Sequence, residues 1–153
     1  LIRKLENPTS SKGKEAWTKL NILKEKPEQT FSEIKNSLAK INDEDETKKQ
    51  FLIQFASKLD INKEKRLKML SEELEQAIIN AQISQNIQAQ MTPSIIFETY
   101  AKLVDNEKKT EELLIKVLPK SSSQIQGTLL ASFNKIDPQR TNELIEELNL
   151  NNE

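Results

Sequence analysis

Apolar residues recur at spacings of three and four along most of the chain, which is the pattern of one helix face. The clearest stripe follows Asn62. Five residues form it: Leu67, Leu70, Leu74, Ala77 and Ala81. After this stripe the pattern continues at a shifted angle through Ile83 and Ile87. The sequence predicts a long helix over residues 62–90 that bends or ends near Ser84.

Shorter amphipathic segments precede the long helix. In KGKEAWTKLNILKE, which Pro27 closes, three apolar residues share one face: Trp17, Leu20 and Leu23. Two further starts resemble capping boxes, in which a cap residue is followed three positions later by Glu. These pairs are Thr30 with Glu33 and Asp43 with Glu46. We therefore expect residues 1–61 to form short antiparallel helices.

Evenly spaced cap residues follow the long helix. Thr92 with Pro93 predicts a helix start, because Pro is favoured at the first helical position. Three more predicted starts lie 16 residues apart: Asp105, Ser121 and Asp137. Apolar residues keep that register eight positions after each cap: Leu113, Leu129 and Ile145. This period predicts helices of about 11 to 13 residues joined by short turns, so residues 92–150 are expected to stack as four short helices.

The segments KVLPKSSSQIQGTLL and KIDPQRTNELIEEL carry this spacing. They resemble the superhelical stacks of short helices in the cytosolic domain of MgtE-type magnesium transporters and in flagellar rotor proteins, over about a quarter of the chain. The resemblance implies a solenoid-like helical-hairpin repeat. An irregular helical bundle with evenly spaced caps explains the same pattern, and the sequence leaves both open.

Composition supports an all-α fold. The chain has only two Gly among its 153 residues and is rich in Leu, Lys, Glu and Gln, which favour helix over sheet. We predict seven to eight mostly short antiparallel helices with one longer central helix. Residues 1–150 are expected to form one domain, with possible sub-parts 1–90 and 91–150, and residues 151–153 a frayed tail. Because the chain starts at Leu1, we expect a processed chain or a fragment of a longer protein.

A stretch without charge runs from Gln76 to Phe97, in a chain that is 31% charged. Its seven amide side chains argue against insertion into a membrane, because burying them in lipid is costly. Three interpretations compete: a central layer covered by neighbouring helices, an exposed face that docks a partner, and a flexible link at SQNIQAQMT. For the docking face, the candidate partner-binding residues are Gln82, Ile83, Gln85, Asn86, Ile87 and Gln90.

Part of this stretch is similar to the vinculin-binding helix pattern L-x-x-A-A-x-x-V-A. The residues that match it in size and spacing are Leu74, Ala77, Ile78 and Ala81. The match is partial, because three amides stand where the pattern has apolar residues: Gln82, Gln85 and Gln88. The resemblance implies docking of a helix against a partner protein.

Residue types limit the available chemistry. The chain has no His and no Cys, so Ser-His-Asp and Cys-His arrangements and most zinc sites are absent. SLAK, at Ser37 to Lys40, lacks the companion motifs of penicillin-binding enzymes, and PTSSKGKE departs from a phosphate loop. We expect neither catalysis nor a cofactor. The acidic run NDEDE gives an alternative, a regulatory domain that senses a divalent cation through Asp43, Asp45 and Glu46.

Charge is uneven along the chain. Residues 1–70 carry 16 basic and 11 acidic side chains, whereas residues 71–153 carry 7 and 13. The Lys-rich N-terminal half gives a third alternative, weak nucleic-acid binding, but acids are interleaved and Arg is scarce. The function predicted first is a non-catalytic helical scaffold or adaptor that binds another protein through a charge-poor face, with self-association possible. A cytoplasmic location is favoured, while a secreted effector or surface-protein fragment stays open.

Overall fold

A computed structural model describes residues 26–41 and 45–148. That part of the chain is all-helical, with seven α-helices and one short 3₁₀ helix (Leu118–Lys120), which confirms the predicted fold class. The helices are α1 (Pro27–Leu38), α2 (Glu46–Ser57), α3 (Lys63–Ile83), α4 (Ile87–Val104), α5 (Glu107–Val117), α6 (Ser123–Asn134) and α7 (Pro138–Glu147). The helix predicted for KGKEAWTKLNILKE lies outside the described residues.

Helix α4 occupies the middle of the bundle. It packs against α2, α3, α5 and α6, while α1 packs on α2 and α7 on α6. Ile96 and Phe97 of α4 are completely buried. They belong to one apolar core to which all seven helices contribute. The longest helix, α3, is therefore the main neighbour of the central helix and is not itself central.

The stripe predicted for the long helix is confirmed. All five of its residues are buried on α3, and Asn62 caps the helix by accepting a hydrogen bond from the Glu64 amide at 2.8 Å. The helix ends at Ile83 because Ser84 takes an extended backbone conformation, with φ −95° and ψ 141°. The predicted end near Ser84 is right, and the predicted continuation to residue 90 is wrong.

The predicted helix start at Thr92 and Pro93 is also wrong. Helix α4 begins at Ile87, and Pro93 lies inside it. The reason is a stronger cap earlier in the chain, since the Asn86 side chain accepts a hydrogen bond from the Gln88 amide at 3.0 Å. The Thr92 hydroxyl, which would have capped the later start, instead lies 3.0 Å from the Gln88 carbonyl oxygen.

Two of the three evenly spaced caps are displaced by one residue. The observed caps are Asn106, Ser122 and Asp137, so the spacing is 16 and then 15 residues. Asp105 instead ends α4 with a left-handed backbone at φ 46°, and the Ser121 hydroxyl donates to the Val117 carbonyl at 2.9 Å. Of the apolar register, Leu113 and Leu129 are buried and Ile145 is half-buried. A helical bundle accounts for this arrangement.

The capping box predicted at Thr30 is wrong as well. Helix α1 starts at Pro27, in the first helical position, and Thr30 is buried within it. Glu33 accepts a hydrogen bond from the Gln29 side chain at 3.3 Å instead. The predicted cap Asp43 lies outside the described residues, and α2 begins at Glu46 after Asp45.

Candidate functional site

The uncharged stretch is divided between the inside and the outside of the bundle. Eight of its residues are buried: Ala77, Ile78, Ala81, Ala89, Thr92, Pro93, Ile96 and Phe97. Four large apolar residues are exposed: Ile79, Ile83, Ile87 and Met91. Only residues 84–86 are outside helices, so the stretch is not a flexible link. Buried and exposed positions occur on both helices, so one face of each helix closes the core and another face lies on the outside.

We call the four exposed residues the isoleucine patch. Ile79 and Ile83 lie one helical turn apart at the end of α3, and Ile87 and Met91 lie one turn apart at the start of α4. Ile83 is 74% exposed and Ile87 73% exposed. Only three other large hydrophobic residues of the described part are exposed, and they are scattered over α5 and the links that follow α6 and α7. Apolar residues scattered singly over a surface are common, whereas four exposed within 13 consecutive residues distinguish this part of the surface from the rest of the described chain.

Amide side chains fix the turn that carries the patch. The Gln90 side chain donates to the carbonyl oxygens of Ala81 and Ser84, the second at 3.0 Å. The backbone N–H of Asn86 donates to the Ser84 hydroxyl at 3.1 Å. The bond to Ala81 satisfies one of the carbonyl groups that the last turn of α3 leaves open. The turn therefore fixes the backbone on which Ile83 and Ile87 are carried.

The six predicted partner-binding residues thus have different positions. Ile83 and Ile87 are exposed, as is Gln85. The Gln82 side chain is also exposed and donates to the Lys120 carbonyl at 2.6 Å, which ties α3 to the 3₁₀ helix. The prediction omitted Ile79 and Met91. Their signal in the sequence was the four-residue spacing to Ile83 and Ile87 on the side of each helix away from the core stripe.

A buried polar network lies beneath the start of α4. Glu46 on α2 is only 3% exposed, and its Oε2 accepts a hydrogen bond from the Thr92 hydroxyl at 2.9 Å. Its Oε1 lies 3.3 Å from the Lys49 ammonium. The Thr92 hydroxyl in turn accepts from the Gln50 side chain at 3.0 Å. A buried carboxylate needs partners of this kind, and here they hold α2 to α4.

This network changes the role of the acidic run. Both oxygens of Glu46 are bonded inside the fold, whereas Asp45 is exposed and its side chain makes no capping hydrogen bond. Within residues 26–41 and 45–148 no group of three or more His, Cys, Asp or Glu could hold a metal ion. Asp43, the third residue of the predicted cation site, lies outside the described residues.

A groove of about 390 Å³ opens between α3 and α5, and Tyr100 of α4 is among the residues that line it. Leu67 and Leu113 line it, together with five charged residues of both signs: Glu64, Lys68, Lys109, Glu112 and Lys116. Burial, together with Glu64 and Glu112, raises the pKa of the Tyr100 hydroxyl. The mixed signs favour neither an anionic nor a cationic ligand, so the groove gives no specific chemistry.

An arginine joins the last helices. The Arg140 guanidinium on α7 bonds to Glu111 on α5 at 2.5 Å and also to Glu143 and Glu147. These three carboxylates raise the pKa of Arg140 above its usual range. Arg140 therefore pairs with one carboxylate of α5 and with two of its own helix, and its bond to Glu111 ties α7 to α5.

No helix in the described part of the chain is both long and apolar enough to cross a membrane. Comparisons with protein-family models, with curated proteins and with solved structures find no match. The surfaces of the described residues are therefore the basis for a function, and the isoleucine patch is the one where exposed apolar side chains are concentrated.

Proposed function

We propose that the protein is a non-catalytic helical scaffold or adaptor module that binds a protein partner through the isoleucine patch. The observation that carries the proposal is the exposure of Ile83 and Ile87, about three quarters each, within a segment of the sequence that has no charge. The centres of protein interfaces are depleted in Lys, Glu and Asp in the same way. Covering these side chains removes apolar area from water, at about 25 cal/mol for each Å².

The rigidity of the patch supports the same proposal. Gln90 and Asn86 bond to the turn, and Gln82 bonds to the chain beyond α5. A surface that is already ordered loses little conformational entropy when it binds. The side chains of Gln82 and Gln90 and the backbone N–H of Asn86 therefore hold the backbone around the two isoleucines, and the isoleucines supply the contact area.

The test is capture of binding proteins by the immobilised chain, with three baits compared. The Ile83→Glu/Ile87→Glu variant should remain folded, because both positions are exposed, and should lose the proteins that the unchanged chain retains. The matched control is Ile115→Glu/Ile136→Glu, which changes two exposed residues outside the patch and should retain them. Equal retention by all three baits would remove the patch as the binding surface.

The cation-sensing alternative has a separate test. The bonds of Glu46 to Thr92 and Lys49 give that carboxylate a role in packing, which favours the patch as the working surface. Calorimetry with millimolar magnesium and calcium measures the alternative directly. Heat of binding with a rise in melting temperature would put the cation ahead of the adaptor function.

A further inference from the structure

We infer that the isoleucine patch binds the same patch of a second copy of this chain, forming a dimer with two-fold symmetry. The inference rests on the proposed function, because it names the partner for the surface described above. In a two-fold interface both subunits use the same patch, and a charge that lies near the symmetry axis meets a like charge. The stretch from Gln76 to Phe97 carries none, so this source of repulsion is absent.

The polar residues around the patch also suit self-pairing. Gln85 and Gln88 are exposed on the turn and the first turn of α4. A side-chain amide both donates and accepts hydrogen bonds, whereas a carboxylate only accepts and an ammonium only donates. Two copies of an amide can therefore bond to each other across a symmetry axis. A rim of Lys or Glu would need a partner of opposite charge instead.

The size of the patch sets the strength of the dimer. From their exposed fractions, the four side chains leave on the order of 450 Å² of apolar surface per molecule open to water. Two copies with their amide rims reach the lower end of specific interfaces, which begin at about 1,200 Å² in total. We therefore expect a dimer that depends on concentration, rather than one that persists at high dilution.

Sedimentation equilibrium of the full chain from about 5 to about 500 μM tests the inference, since this range covers weak dimers. The unchanged chain should rise from its monomer mass of 17.6 kDa towards twice that mass. Ile83→Glu/Ile87→Glu should stay at the monomer mass, with unchanged helical circular dichroism. Ile115→Glu/Ile136→Glu should associate like the unchanged chain.

A mixing experiment separates symmetric pairing from a general loss of association. Ile83→Lys/Ile87→Lys and Ile83→Glu/Ile87→Glu should each be monomeric alone, and an equimolar mixture should reach twice the monomer mass. An unchanged chain that stays monomeric throughout, or a mixture that does not associate, overturns the inference. If the chain stays monomeric while capture still depends on the patch, the inference fails and the proposed function stands. If the patch variant alters neither mass nor capture, both fail.

Discussion

Two neighbouring isoleucines within the uncharged stretch should respond very differently to the same substitution. Ile78 is 1% exposed and Ile79 is 55% exposed, although they are adjacent on α3. Replacing Ile78 with Ala removes buried carbon atoms and leaves a cavity, which costs about 3 to 4 kcal/mol in the free energy of unfolding. For a chain of this length, that lowers the melting temperature by about 10 °C.

The same change at Ile79 removes less than half as much buried area and opens no cavity. The loss of about 1 kcal/mol of transfer free energy is partly offset because Ala is a better helix former than Ile by about 0.4 kcal/mol. The net cost of Ile79→Ala should stay near 0.5 kcal/mol. At Ile83, which is 74% exposed, Ala should be close to neutral.

Urea titration monitored by circular dichroism measures all three variants. The protein should be kept near 5 μM, so that weak self-association adds nothing to the stability of the unchanged chain. Similar urea slopes would show that the changes act on the folded state. If Ile79→Ala costs as much as Ile78→Ala, α3 presents a different face to the core, and the isoleucine patch does not exist as described.

Three further variants test other features. Asp105 has a left-handed backbone, so Asp105→Gly should stabilise the fold by roughly 0.5 to 1 kcal/mol and Asp105→Ala should not, as measured by thermal unfolding. Thr92→Val removes a hydrogen-bond donor from buried Glu46 and should cost about 1 to 3 kcal/mol in urea, while Thr92→Ser, which keeps the hydroxyl, should cost less. Burial raises the pKa of Glu73 in the fold, so its proton stabilises the folded state at low pH and this contribution is lost as pH rises through the raised pKa. Glu73→Gln should therefore raise the melting temperature near pH 7 but not near pH 3, where both states are protonated, and an equal rise at both pH values would contradict this account.

The buried face of α3 could be predicted because its apolar residues fit only one face of a helix. Leu70 and Leu74 repeat at helical spacing among charged residues, and the charges mark the opposite face. In the uncharged stretch that contrast is missing. Ile78 and Ile79 are equally apolar, so the pattern of polar and apolar residues does not distinguish them. Only their angular positions around the helix determine that Ile78 is buried and Ile79 is exposed.

Helix starts were harder to predict because neighbouring residues compete for the same cap. Asp105 and Asn106 both suit the position, and the choice of Asn106 depends on how α4 ends. Thr92 and Pro93 form a good local start, but Asn86 supplies one six residues earlier. Of the patch residues, Ile83 and Ile87 were named from the sequence and Ile79 and Met91 were not. The packing role of Gln82 and Gln90 required the folded chain.

The position of α4 has a consequence for any attempt to divide the protein. The predicted boundary between residues 90 and 91 falls inside α4. A protease cut there would break α4. This helix packs against α2, which precedes the cut in the sequence, and against α6, which follows it. Neither fragment would keep a complete apolar interior, so the described helices should melt in a single cooperative transition and the two pieces should hold their structure only when recombined.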